Sequence, residues 1–342
     1  MSGANELSEL LAQLADLEQP ISFSSLYALS DLTGKPWAQF RRVWRSLGTE
    51  QRRRLIHALV DLAEASFEVN FDAIFLLGLD DADEEVRAMA INGLWEHEDT
   101  DLIGPLIAML RADPSARVRA TAAGGLGRFV LAGELEQLAE PIQARILSEL
   151  LTTIHLANES VEVRRRAIES AAYSCTPEMN EVLEIAYYDD DEGMRISAIT
   201  GMGRSCDRRW SGQVLRELQS DSNAMRYEAA LASGELGLRQ AIPLLAELMQ
   251  DADRQIADAS IWALGQIGGG RAKELLMEAY ESADEDTLEV LDEALAEHAL
   301  ADGDLDFVLY SLEEDEYGET IDEDMLVLWS AEDLDDDVEQ DE

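Results

Sequence analysis

One ten-residue pattern recurs down the chain and constrains its fold more than any other feature. It reads VRAMAINGLW at 86–95, VRATAAGGLG at 118–127, VRRRAIESAA at 163–172, MRISAITGMG at 194–203, MRYEAALASG at 225–234 and IADASIWALG at 256–265. The leading apolar residues are spaced 32, 45, 31, 31 and 31 positions apart. Self-similarity at such a period marks a stack of supersecondary units that bury their apolar faces against one another. Within each unit the leading residue and those four and eight later fall on one helical face. The fourth is always small (Ala90, Ala122, Ala167, Ala198, Ala229, Ser260), and so is the seventh (Gly93, Gly125, Ser170, Gly201, Ala232, Ala263), so neighbouring helices can approach closely. Shorter apolar stretches such as LIGPLIAML (102–110) and AIPLLAELM (241–249) lie between them, followed by Asp-rich turns. The expectation is an all-α solenoid of about seven helix pairs.

Three regions follow. Residues 1–69 read as an N-terminal helical cap, in which Trp37, Phe40, Trp44 and Leu47 share one face. Residues 70–300 hold the repeat array, with an insertion near 129–141 filling the long interval. Residues 301–342 form an acidic segment expected to close the last apolar face through Leu305, Phe307 and Leu309 and then to continue as a flexible tail.

Charge narrows the work such a rod can do. The 26 Lys and Arg against 72 Asp and Glu leave a net charge of −46, which opposes binding to nucleic acid phosphates or an anionic membrane. No Lys or Arg follows Lys273, whereas residues 274–342 hold 29 acids. An apolar content of 46% nevertheless suffices for a core. Two cysteines, Cys175 and Cys206, exclude a disulfide framework or a Cys-rich zinc module. No apolar run approaches the roughly 18 residues of a membrane span, and the N-terminus lacks a cationic start, so a cytoplasmic protein is expected.

With Asp ahead, then Val-Arg-x-x-Ala and a Leu-Gly pair, the units resemble HEAT repeats of the short bacterial type found in phycobilisome lyases, over about residues 70–297. The third unit departs with Ala171-Ala172 for Leu-Gly, and the sixth has Ala257 in place of the arginine. The resemblance implies an α-solenoid whose concave side is lined by these helices, and says little about function. By analogy alone it offers a bilin lyase, or a chaperone for one, as an alternative. HEAT-type deoxyhypusine hydroxylases also resemble this array, and bind iron through His-Glu pairs placed directly after Val-Arg. Here those slots hold Ala88-Met89, Ala120-Thr121, Arg165-Arg166, Ile196-Ser197, Tyr227-Glu228 and Ala257-Asp258, and no ligand pair survives.

Most other conspicuous residues read as structure. Arg87, Arg119, Arg164, Arg195 and Arg226 follow the leading residue. Asp81, Asp113, Asp189 and Asp251 stand five before it, with Asp221 one place late. This pattern suits a ladder that satisfies each turn and caps the helix after it. Cys175 and Cys206 occupy the same slot in consecutive repeats, about one helix spacing apart and beyond disulfide reach. His97-Glu98 stands alone in a turn, and the calcium-loop spacing at Asp302, Asp304, Asp306 and Glu313 has Phe307 where glycine is needed. No metal or cofactor is expected.

The site is therefore sought on the groove. Positions two, six, nine and ten after the leading residue point away from the core. They contribute Trp95, Arg128, Arg165, Tyr173, Ile196, Arg204, Tyr227, Leu231 and Trp262, a mixture of aromatics and arginines typical of protein-binding patches. The expected function is a non-enzymatic scaffold that holds a protein or peptide segment on its concave face; an acidic nucleic-acid mimic is a third reading. In the tail, Met325, Leu326, Leu328 and Trp329 form an apolar knot between acidic flanks, suited to docking. The arginines from Arg41 to Arg54, or the groove, are its intramolecular targets.

Overall fold

The computed structural model describes residues 2–14, 22–281 and 283–302. Every regular element among them is helical. Four helices come first: α1 (Ser2–Gln13), α2 (Phe23–Leu26), α3 (Gly34–Trp44) and α4 (Thr49–Ala65). Seven antiparallel pairs follow: α5 (Asp72–Gly78) with α6 (Glu84–Gly93), α7 (Ile103–Ala112) with α8 (Ala116–Glu134), α9 (Glu140–His155) with α10 (Val161–Ala171), and α11 (Pro177–Tyr187) with α12 (Glu192–Arg204). The last three are α13 (Ser211–Glu217) with α14 (Asn223–Glu235), α15 (Ile242–Leu248) with α16 (Arg254–Ile267), and α17 (Gly270–Tyr280) with α18 (Glu285–Asp302).

The even-numbered helices from α4 to α18 pack directly on one another, whereas the odd-numbered ones barely touch their counterparts. Inner helices closer together than outer ones make a curved stack, an α-solenoid with the even helices on the concave side. Small residues set this spacing. A Cβ on Gly265 would lie 2.6 Å from the Ala294 carbonyl oxygen, and one on Gly234 would lie 3.0 Å from the Ala263 Cα. Both glycines stand nine places after the leading residue. In these two units that position faces sideways onto the next inner helix and not into the groove, which corrects the wheel drawn from sequence there; Trp95, nine after Val86, lies past the end of α6 and stays open to the groove. The leading residues themselves (Val86, Val118, Val163, Met194, Met225, Ile256) are buried, as are the small residues four places on.

A polar seam runs along the turns, with a different register from the one read in the sequence. The Arg87 guanidinium forks onto Asp113 of the following turn through two 2.8 Å bonds, while its Nη1 donates to the Asp81 and Ala82 carbonyls of its own turn. Arg52 pairs with Asp81, Arg119 with Glu159 and Arg226 with Asp251 in the same way. Each arginine thus joins one turn to the next. The acids five before the leading residue accept the backbone N–H two places on, as Asp113 does from Ser115. Helix capping falls instead to residues three before it, including Asp83, Asp191 and Asp253. The seam lapses at Arg164 and Arg195, which donate only to the carbonyls of Ile154 and of Asp189 and Asp190. Asp221, one place late, is exposed.

The long second interval lengthens the helices: α8 has 19 residues and α9 has 16. Phe129, at the start of the expected insertion, is buried within α8, and the connection narrows to residues 135–139. The calcium-type spacing beyond Asp302 and the Met325, Leu326, Leu328 and Trp329 knot lie outside the described residues.

Candidate functional site

Along the groove, α8 presents Ala120, Thr121, Gly124 and Gly125 where its neighbours carry longer side chains, so the surface sinks into a cleft of about 1030 Å³. Its walls are Ile91, Asn92 and Trp95 from the α6 side and Glu162 and Arg166 from α10, with Arg117 and Arg128 on α8 itself. Trp95 is 47% exposed, unusual for a large aromatic. Arg128 lies over the Phe129 ring and donates to the Leu94 and Trp95 carbonyls, closing the C-terminal end of α6 with a cation. Burial holds the Arg128 pKa below its ordinary value. Beyond Trp95 and Arg128 a second cleft of about 700 Å³ continues over the extra turns of α8, where Leu131 and Leu135 are exposed.

Towards α14 the groove becomes a hydrogen-bonded network. Glu169 on α10 is nearly buried and takes an ion pair from Arg166 at 2.9 Å and a 2.5 Å bond from the Ser197 hydroxyl on α12. Arg165 donates to Ser197 and to Glu162. Arg204 lies over the Tyr173 ring and donates to the Glu169 carbonyl at 2.9 Å. From α12 the Thr200 hydroxyl donates to Glu228 on α14 at 2.8 Å. Glu235, two turns further, rests against Gly203 without a hydrogen-bond or ion-pair partner among the described residues. Burial raises the Glu228 carboxyl, with Thr200 opposing the shift and Glu169 adding to it. Burial also pushes Glu235 up to about 7, against the attraction of Arg204 and with repulsion from Glu228.

The nine groove residues named from sequence therefore divide. Trp95 and Arg128 share the main cleft. Arg165, Tyr173 and Arg204 belong to the network. Ile196, Tyr227, Leu231 and Trp262 are half-buried against the core, Trp262 filling the space that a side chain at Gly234 would need. Sequence reasoning missed Glu228, Glu235, Arg117 and Arg166. The signal was present for two of them: Glu235 occupies the same slot, ten after the leading residue, as Arg128, Tyr173 and Arg204, and Glu228 shares its slot with Arg166.

Other candidates are accounted for by structure. Cys175 bonds to the Ser205 carbonyl, and burial raises both thiols, so neither is an activated nucleophile. His97 sits between Asp72 at 2.7 Å and Asp101 at 3.1 Å. Burial depresses its pKa, but the two carboxylates outweigh that and leave it raised, so the ring serves as a clamp between two acids. Within the basic cluster, Arg52 and Arg53 are committed to Asp81 and Asp83 and are not open to a tail; Arg41, Arg42 and Arg45 are exposed, Arg41 lying over Trp37. No helix among the described residues is long and apolar enough to cross a membrane.

A profile of HEAT repeats matches residues 72–155 and 212–296, and the same helix pairs continue between them, so the chain belongs to the HEAT-repeat family. No curated protein matches it by sequence. Similar solved structures include the CpcE–CpcF complex of phycocyanin lyase from Nostoc sp. PCC7120, at 16% identity over 66% of this chain and 87% of that one, with a TM-score of 0.48. Human deoxyhypusine hydroxylase is 15% identical over 86% of this chain and 96% of its own, with a TM-score of 0.34. Yeast importin-beta (Kap95p) is 13% identical over 86% of this chain and 46% of its own, with a TM-score of 0.45. At identities and scores this low they say nothing of what this chain binds or does.

Proposed function

We propose that the protein is a non-enzymatic scaffold that holds an extended segment of a partner protein along its concave face. The observation that carries this reading is the exposed Trp95 at the rim of a cleft floored by small residues, which is also lined by Arg117, an exposed guanidinium with no ion pair among the described residues. An aromatic anchor and an arginine in one concave patch have the composition of a binding hot spot. A photo-crosslinking amino acid placed at position 95 tests it directly. Adducts with a polypeptide should form there and not at Tyr188, a more exposed aromatic on the opposite layer. Equal labelling at both positions would defeat the proposal.

A further inference from the structure

Among the described residues, charged groups on this groove that form no ion pair differ in sign from place to place. On α8, Arg117 forms none, Glu85 being the acid it acts on, and Arg128 donates to carbonyls; Arg166 is shared between Glu162 and Glu169, and Glu64 and Glu162 are the acids of the same cleft. On α14, Glu235 has no hydrogen-bond or ion-pair partner and Glu228 has the Thr200 hydroxyl; Arg204 attracts both and Arg166 attracts Glu228, but Arg204 is directed to a carbonyl and an aromatic face and Arg166 to Glu162 and Glu169. Tyr227, Leu231 and Trp262 are partly open beside these carboxyls. They are the surface on which the methylene stem of a lysine or arginine can lie while its charged head reaches the acid.

Resting on the scaffold reading above, we infer that the groove takes a charge-segregated segment of another polypeptide. Its acidic and aromatic residues lie over α8 and its basic residue over α14. Three inner-helix steps of roughly 8–10 Å separate those places, which an extended chain at about 3.3 Å per residue crosses in about seven to nine residues. The chain's own C-terminal segment is a poor occupant. About 23 residues, spanning at most ~80 Å, would let the Met325–Trp329 stretch reach α8 from Asp302. However, residues 303–342 contain no Lys, Arg or His, so that segment would bring no countercharge to Glu228 and Glu235. Charge complementarity therefore assigns the occupant to a second protein.

The test is selection of a displayed library of random peptides of about fifteen residues on the full-length protein. Enriched peptides should pair an acidic-aromatic half with a Lys or Arg about seven to nine positions away. A selected peptide should lose at least about tenfold in affinity on the Glu228→Gln/Glu235→Gln chain, the scale of one charge-assisted contact. Its lysine-to-glutamine version should not respond to those substitutions. Should the double variant melt early, Glu235→Gln alone suffices, since that carboxyl has no partner to lose. Peptides with no basic preference, or unchanged affinity on the variants, would overturn the inference and leave the groove reading intact. Peptides indifferent to Trp95→Ala would overturn both. A synthetic peptide of residues 320–334 that competes as strongly as the selected ones would return the groove to the chain's own tail.

Discussion

Replacing Gly265 and Gly124 separately by alanine tests whether inner-helix spacing is set by glycine contacts. Both residues lie within long inner helices, and each exchange gains about 1 kcal/mol of helix propensity. Around Gly124 there is nothing within 4 Å of the added Cβ, so the gain is realised in full. At Gly265 the Cβ would meet the Ala294 carbonyl oxygen at 2.6 Å and its Cα at 3.0 Å. These are backbone atoms that no rotamer change can remove. Relief requires α18 to move out by about 1 Å in a close-packed interface. Overpacking of this kind costs about 1–3 kcal/mol, and backbone overlap places it near the top of that range. The expected net changes are therefore about 1 kcal/mol of stabilisation for Gly124→Ala and about 2 kcal/mol of destabilisation for Gly265→Ala. Urea unfolding followed by circular dichroism reads the sign. Amide exchange locates it, because a repeat array transmits damage mainly to neighbours: exchange should rise in α16 and α18 and stay unchanged in α6 and α8. Midpoints that move in the same direction, or faster exchange spread evenly over the rod, would show that these contacts do not set the spacing.

Arg87→Gln and Asp113→Asn should each cost about 3–5 kcal/mol, the double variant costing less than their sum, because either single change leaves a buried charge behind; Arg195→Gln, lacking an acid to orphan, should cost about 1 kcal/mol in the same unfolding assay. His97, with its pKa raised in the fold, stabilises fully below its unfolded value and loses that contribution as pH rises through the folded one, so the melting-temperature gap between wild type and His97→Gln should close as pH rises above about 6.5. Glu235 has the same sign with a different cause: its folded pKa of about 7 lies above the unfolded value because its charged form is disfavoured, so ionising it weakens the fold as pH rises. Glu235→Gln should then match wild type in acid and melt higher above neutrality, by an amount reduced by solvent at the open groove. Trp95→Ala should leave the melting temperature unchanged while weakening a groove-bound peptide by more than about 2 kcal/mol, measured by fluorescence anisotropy.

The solenoid was legible because its determinants are local. The apolar residue heading each unit and the small residues four and seven places on define a buried helical face without reference to any neighbour. What crosses between units was not. The arginines and turn acids were recognised as a ladder, yet Arg87 finds its acid 26 residues onward at Asp113, and spacing within one unit cannot reveal a partner supplied by the next. The sideways orientation of Gly234 and Gly265 was hidden for the same reason, since a helical wheel separates inward from outward but not outward from lateral. In the groove, aromatics drew attention because they are costly to expose, whereas Glu228 and Glu235 resembled ordinary surface acids. Only the arrangement of α12 against α14 shows Glu228 to be half-buried and both to lack an ion pair among the described residues.

Where the turn seam lapses at Arg164 and Arg195, the cross-helix bonds move to the groove: Arg165 to Ser197, Ser197 to Glu169, Arg204 to the Glu169 carbonyl, and Thr200 to Glu228. The two ends of the rod are laced along an edge that a groove ligand does not reach. Its middle is laced by side chains that such a ligand competes for. Occupancy and superhelical curvature are then linked quantities: a segment that takes bonds from Glu169 or Glu228 slackens the α10–α12–α14 joint. By reciprocity, stretching or winding that joint changes the grip on the segment.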